Sequence, residues 1–273
     1  MATSELRSGD LDRLVAVVQD AYADDPTEAL PWALLEGLAR LVPCDMEVSY
    51  QHHDLRTCAT PCIQALEPGD VHLPAEAIAP DPEDPFWLHW WASVCSWPQR
   101  TGDLRRVVQT SDFFPTERQR LADPVMRDVL PGLLASMIVS LPAPPGEARR
   151  VVFFRSSAPG FTERDRQVAM LLRPHLEEIW LDAERRRAHV PRLSPREWEV
   201  LALTAAGRSH AEIAAQLFLS VGTVRKHMEH VRERLGVHSA AAAAARAMPH
   251  APAHLRARST AAAPGPSSPG AGR

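Results

Sequence analysis

A chain of 273 residues with 45% hydrophobic and 23% charged residues has an ordinary globular composition and is long enough for two domains. No apolar run approaches the ~18 residues a membrane-spanning helix needs. The opening MATSELRSGDLDR lacks the basic start and apolar middle of a signal peptide, so a cytoplasmic protein without membrane contact is expected. Four cysteines are too sparse for a disulfide framework and fit a reducing compartment.

The net charge of -4 is unevenly placed. Residues 192–248 hold eight Arg/Lys against five Asp/Glu, and residues 249–273 hold three Arg and no acid, so residues 1–191 carry -10. An acidic body joined to a basic C-terminal part suggests that only the C-terminal part meets a polyanion. Arginine far outnumbers lysine, a bias that points to GC-rich coding, and the one lysine is Lys226.

Along the chain, helical periodicity covers Leu11–Tyr22 and Thr27–Val42. Asp24-Asp25 resembles the acidic pair of a phospho-receiver, but no apolar strand precedes it and no later strand ends supply the other residues that chemistry needs. Extended segments are expected at Met46–Tyr50, Leu133–Leu141 and Val151–Arg155. The last two flank the turn-rich PAPPGEARR and form a candidate hairpin. Thr162-Glu163-Arg164-Asp165 opens a helix reaching about Arg187, apolar at Val168, Leu172, Leu176 and Ile179, with a kink expected at Pro174. Helices, a small antiparallel sheet and a long final helix describe an α+β domain over 1–187, of the GAF- or PAS-like sensor kind.

Within that domain Trp87, Trp90, Trp91 and Trp97 lie close in sequence and are the candidate ligand-binding residues; a plain core or dimer-interface cluster is the competing reading. His52, His53, Cys58 and Cys62 match no zinc spacing, so no metal is expected. Cys44 and Cys95 read as buried filler rather than redox sensors. No Gly-rich phosphate loop, nucleophile elbow or two-His zinc helix occurs, so neither an enzyme nor a cofactor is expected.

Residues 188–192, around Pro191, read as a linker. Four helices follow over 193–248. Ser194-Pro195-Arg196-Glu197 is a capping box with proline in the first turn, with Leu193 and Trp198 placed for a hydrophobic staple, and Gly207 is the expected stop. Ser209-His210-Ala211-Glu212 is a second box opening a short helix. Phe218-Leu219 then make a tight connection to Ser220, which begins a third helix ending at Gly236. Ser239 opens an alanine-rich helix closed by Pro249. Two short helices joined tightly, the second basic, form a helix-turn-helix. On the third helix Val224, Met228, Val231 and Leu235 make one apolar stripe, while Arg225, Lys226, Glu229 and Arg232 fall opposite. Such a face fits the DNA major groove, where Arg or Lys donates to guanine and Glu accepts from cytosine. Ser220 and Thr223 stand where a phosphate would meet the helix N-terminus.

Residues 193–247 resemble the LuxR-type helix-turn-helix domain of bacterial transcription regulators, through LSPRE, EVL, AEIA, LS, GTV and RLGV spread over the whole segment. The resemblance implies a dimer on double-stranded DNA with 220–235 as recognition helix. The candidate contact set is Ser220, Thr223, Val224, Arg225, Lys226, His227, Glu229 and Arg232. Glu229 departs from the basic residue common at that position, and the last helix lacks the usual acid after its serine. The segments YQHHDLRT, DPEDPFWLHWW and FTERDRQVAMLLRPHL are similar to N-terminal regions of LuxR-type regulators from GC-rich bacteria. The expected function is a homodimeric, sequence-specific regulator controlled by a small-molecule effector or partner at its N-terminal domain, with RNA polymerase among its contacts. The alternative is an N-terminal module that only dimerises or binds protein, without ligand. Residues 249–273, rich in Pro, Ala, Gly and Ser, are expected to be disordered.

Overall fold

The computed structural model describes residues 6, 8–252 and 254–255. The expected tail beyond 255, with residue 253, lies outside the described residues. The chain divides into two compact units, Met1–Ala183 and Glu184–Arg273.

The N-terminal unit opens with helices α1 (Ser8–Ala23) and α2 (Trp32–Leu41). Leu14, Val17 and Ala21 recur at steps of three and four and are buried. A Cβ at Gly37 would stand 2.6 Å from both Val17 methyls, so the missing side chain lets α2 lie close to α1. Helix α2 starts at Trp32, later than the expected Thr27, because Pro31 disfavours helical geometry in the residue before it.

Six strands follow, β1 (Val48–Asp54), β2 (Ala59–Glu67), β3 (Val71–Ile78), β4 (Val108–Gln109), β5 (Ala135–Leu141) and β6 (Glu147–Arg155). They form one sheet in the order β3-β2-β1-β6-β5-β4, with every neighbouring pair antiparallel. The hairpin expected around PAPPGEARR is present, with Leu141 opposite Arg149. Strands β2 and β3 were not expected. Each contains a proline (Pro61, Pro74), and every position of edge strand β3 is exposed, so no apolar alternation marks it.

One sheet face carries Val48, Tyr50, Met137, Val139, Val151 and Phe153. They share a core with Leu34 and Leu38 of α2 and with Val168, Leu172 and Ile179 of helix α6 (Glu163–Arg187). Thr162 and Asp165 cap α6 reciprocally, and Pro174 lies inside it. Short helices α3 (Pro85–His89), α4 (Trp97–Thr101) and α5 (Glu117–Ala122), with 3-10 and π turns between them, supply the smaller clusters that include Ala148, Val152 and Phe154 of β6.

The C-terminal unit contains α7 (Pro195–Ala205), α8 (His210–Leu217), α9 (Val221–Leu235) and α10 (Ala240–Ala247). Both capping boxes form, Ser194 with Glu197 and Ser209 with Glu212. Gly207 and Gly236 take the left-handed geometry that ends α7 and α9. The core joins Trp198, Leu201, Ile213, Val224, Met228 and Val231. Two expected boundaries shift. Val190, placed in a linker, is 4% exposed and belongs to this core. Ala251 and Leu255, placed in a disordered tail, are buried against it too, so the packed unit extends past 248.

Met228 sits in that core at 4% exposure. Met228→Asp would bury a carboxylate with no cationic partner, a cost of several kcal/mol. The expected outcome is loss of the helical signal and thermal transition of the C-terminal unit; an unchanged melting curve would contradict the packing.

Candidate nucleic-acid interface

Helix α9 is oriented by its apolar stripe. Val224, Met228, Val231 and Leu235 are all buried, each contributing on the order of 1.5–3 kcal/mol by leaving water, so the helix has little freedom to rotate about its axis. Residues between the stripe positions are thereby turned outward. Arg225, Lys226 and Glu229 are exposed, and among the described residues none of them forms a hydrogen bond or ion pair. Two free cations and one free acceptor therefore stand together on an outward face, with His227 half-buried beside them.

The other cations nearby are committed. Arg234 donates to the Glu197 carboxylate at 2.9 Å and to the Arg192 carbonyl at 3.2 Å. Glu197 also accepts from the Ser194 N–H at 2.7 Å, so its buried charge is satisfied by a cap and an ion pair. Arg232 folds back on the Met228 carbonyl at 3.4 Å and reaches the His238 carbonyl at 3.5 Å, holding the C-terminal end of α9. The expected basic cluster thus separates into an outward pair, Arg225 and Lys226, and two arginines bonded within the domain.

At the other end, Ser220 caps α9 by accepting from the Thr223 N–H at 3.0 Å, and the two hydroxyls share a hydrogen bond of 2.8 Å. One of those hydroxyls keeps a proton to donate outward, beside the N–H groups of the first helical turn. Val224 is the correction to the expected contact set. At 0% exposure it belongs to the core and cannot reach a ligand. Phe218, a residue outside that set, takes a left-handed conformation at the end of α8 and is 96% exposed in the connection that leads to Ser220. Its type and place in the connection were readable from the sequence, but its outward direction depends on the turn geometry.

The four candidate tryptophans, Trp87, Trp90, Trp91 and Trp97, do not form one group. Trp90 is 1% exposed and packs with Trp87, Phe86 and His53, with ring centroids 5.2–5.5 Å apart. Trp91 points outward at 55% exposure, and Trp97 packs separately against Phe113 and the cluster of Val108, Ile138 and Val152. Short 3-10 turns at Trp90–Ala92 and Val94–Ser96 break the helical phase that would have aligned them. His53 Nδ1 lies 3.0 Å from Thr60 Oγ1, and His52 pairs with Glu147 at 2.9 Å. Among the described residues no group of three or more His, Cys, Asp or Glu could hold a metal ion. Burial pushes the Cys44 thiol up to about 12, which makes it a poor nucleophile.

Residues 191–247 match the family model described as bacterial regulatory proteins, luxR family. Over 58 residues the chain is 48% identical to the probable transcriptional regulatory protein NarL of Mycobacterium tuberculosis, covering 21% of this chain and 27% of that one. Over 47 residues it is 49% identical to the oxygen regulatory protein NreC of Staphylococcus aureus, covering 17% and 22%. The chain thus spans about a quarter of the length of these relatives. Among solved structures, SdiA in complex with octanoyl-rac-glycerol aligns at 18% identity over 89% of this chain and 96% of that one, with a TM-score of 0.37. Residues 191–247 thus carry the sequence signature of the luxR family of bacterial regulatory proteins, and they span the four helices α7 to α10.

Two outcomes separate the free from the committed cations. Lys226→Ala is expected to leave stability within about 0.5 kcal/mol while weakening DNA binding and lowering its salt slope by about one. Arg234→Ala is expected to cost about 1 kcal/mol of stability, since half-exposed Arg234 is partly screened, and to leave affinity unchanged below the melting range. Melting curves and salt titrations of both variants check this, and the reverse pattern would contradict it.

His53 offers a pH test of the N-terminal unit. Burial holds its pKa well below the usual imidazole range, and the Arg150 cation and His52 push it further down. In the unfolded chain the group titrates near ~6.5. The contribution is therefore fully present above that value and is lost as pH falls, because the unfolded state takes up a proton the folded state refuses. The melting temperature should drop between about pH 7.5 and 5.5, and His53→Asn should flatten the drop. An identical pH dependence in the variant would contradict a buried neutral imidazole.

Proposed function

We propose that this chain is a sequence-specific transcription regulator that binds double-stranded DNA as a homodimer and is controlled by a small molecule at its N-terminal unit. The observation that carries the DNA-binding part is the outward, unpaired triad of Arg225, Lys226 and Glu229 on a helix whose opposite side is locked in a core. With α9 in the major groove, Arg225 and Lys226 donate to guanine edges or phosphates and Glu229 accepts from cytosine. Ser220 and Thr223 position a phosphate at the helix N-terminus, and Phe218 offers an apolar contact beside them. His227 and Arg232 border this face from less exposed positions.

One recognition helix reads too few base pairs for a unique site, and two copies on half-sites about one helical turn apart double the reading. The N-terminal unit would set the spacing of the pair, through a ligand that binds one arrangement better than another. A dimerisation module without ligand has less support, because a purely structural sheet does not need the buried polar face this one carries.

Selection of duplexes from a randomised pool by the full chain, followed by footprinting and sedimentation, tests the proposal. The expected result is an inverted repeat with half-sites about 10 base pairs apart, bound by two copies. Recovery of unrelated sequences at equal affinity, or binding by one copy at one half-site, would contradict it.

A further inference from the structure

Over the central strands β1, β6 and β5 the two faces of the N-terminal sheet differ in chemistry although both are largely buried. Opposite the apolar face lie Ser49, Gln51 and His53 of β1, Arg150 of β6, and Ser136 and Ser140 of β5, all between 0% and 7% exposed. Register places Gln51 opposite Arg150 and Arg150 opposite Ser140, so three buried polar side chains form a row across the central strands. Ala148, Ile138, Val152 and Phe154 on the same face pack in apolar clusters, and packing against covering helices alone does not call for the buried polar row beside them.

Arg150 is 6% exposed, and among the described residues it has no ion pair. Its Nε donates to Gln51 Oε1 at 2.9 Å, while its Nη1 is buried without a partner. Its guanidinium carbon stands 5.1 Å from the Trp90 ring centroid and 6.0 Å from that of Phe86. Trp90, 1% exposed, has its own Nε1 buried and unpartnered. His53, neutral and 5.4 Å from the Trp90 ring, adds no negative charge, and its Nε2 lies 3.3 Å from Gln51 Oε1. Aromatic faces offset part of the cost of burying a cation, but they leave both N–H groups without an acceptor. What this centre lacks is an anion with oxygen acceptors.

We infer that the buried centre around Arg150 and Trp90 is a binding site for a small organic carboxylate, its oxygens taken by the Arg150 guanidinium and the Trp90 indole N–H, and its apolar body lying among Phe86, Trp87 and Trp90. A planar guanidinium matches a carboxylate with paired donors, and a buried charge pair is favourable only when both partners are present. The aromatic wall selects an aryl or alkyl body over a compact inorganic ion. The inference rests on the proposed control by a small molecule and names the chemical class of that molecule. In the ligand-free protein Arg150 is a destabilising group retained for binding.

The test uses the purified full chain with phenylacetate, indole-3-acetate and octanoate, each compared with its neutral primary amide by calorimetry, thermal melting and tryptophan fluorescence. At least one acid is expected to bind and to raise the melting temperature by about 5 °C at roughly a hundredfold excess over its Kd, with its amide at least tenfold weaker. Arg150→Gln should abolish the preference for the acid while the ligand-free variant melts at or above the wild-type temperature. Trp90→Phe, which keeps the ring and loses the N–H, should weaken the acid about fivefold to tenfold. Amides binding as tightly as acids, no acid binding to the wild type, or Arg150→Gln melting lower with acid binding unchanged would each overturn the inference. DNA binding by the same samples separates the two ideas. An acid that binds without altering DNA affinity leaves the site standing and removes the control mechanism. An amide that binds and alters DNA affinity does the opposite.

Discussion

The C-terminal unit depends on one constraint, the burial of four aliphatic and thioether side chains along a single edge of α9. Val224, Met228, Val231 and Leu235 fix the rotation of that helix, and rotation decides which side chains reach outside. The caps at Ser194, Ser209 and Ser220 set where the helices begin, and the left-handed residues Phe218 and Gly236 set where α8 and α9 end. None of these devices touches a ligand. Together they hold the stretch of α9 that carries Arg225, Lys226 and Glu229 facing outward, which reduces the ordering cost of the proposed DNA contact.

The C-terminal unit was largely legible because its signals are local. A serine three residues before a glutamate, a glycine after the last periodic residue and a four-three-four apolar spacing each act within one or two turns. The N-terminal unit was less legible because its sheet is assembled from distant segments. Strands β2 and β3 carry prolines, and β3 is exposed throughout, so neither announces itself by alternation. The four tryptophans were grouped by nearness in sequence, and the 3-10 turns between them send Trp91 and Trp97 to different surroundings from Trp90. Val224 stands in the sequence both on the apolar stripe and among the candidate contact residues, and its burial decides for the stripe.

The buried polar face of the sheet could not be read from sequence either. Alternation in VSYQHHD does place Ser49, Gln51 and His53 on one side, but half-exposed strands alternate in the same way, with the polar side in water. Only the covering segment around α3 and α4 turns that side into an interior. The N-terminal unit thus joins an apolar face that stabilises the fold to a mixed interior, in which a buried row of polar side chains with the Arg150 cation lies beside apolar clusters.

The most direct measurement of the central claim is a structure of the full chain bound to a duplex it has itself selected. Arg225, Lys226 and Glu229 should lie within hydrogen-bond distance of base edges or phosphates in the major groove, with Val224 and Met228 still enclosed in the protein core. A complex that places α7 or α10 against the DNA and leaves α9 outside the groove would contradict the account.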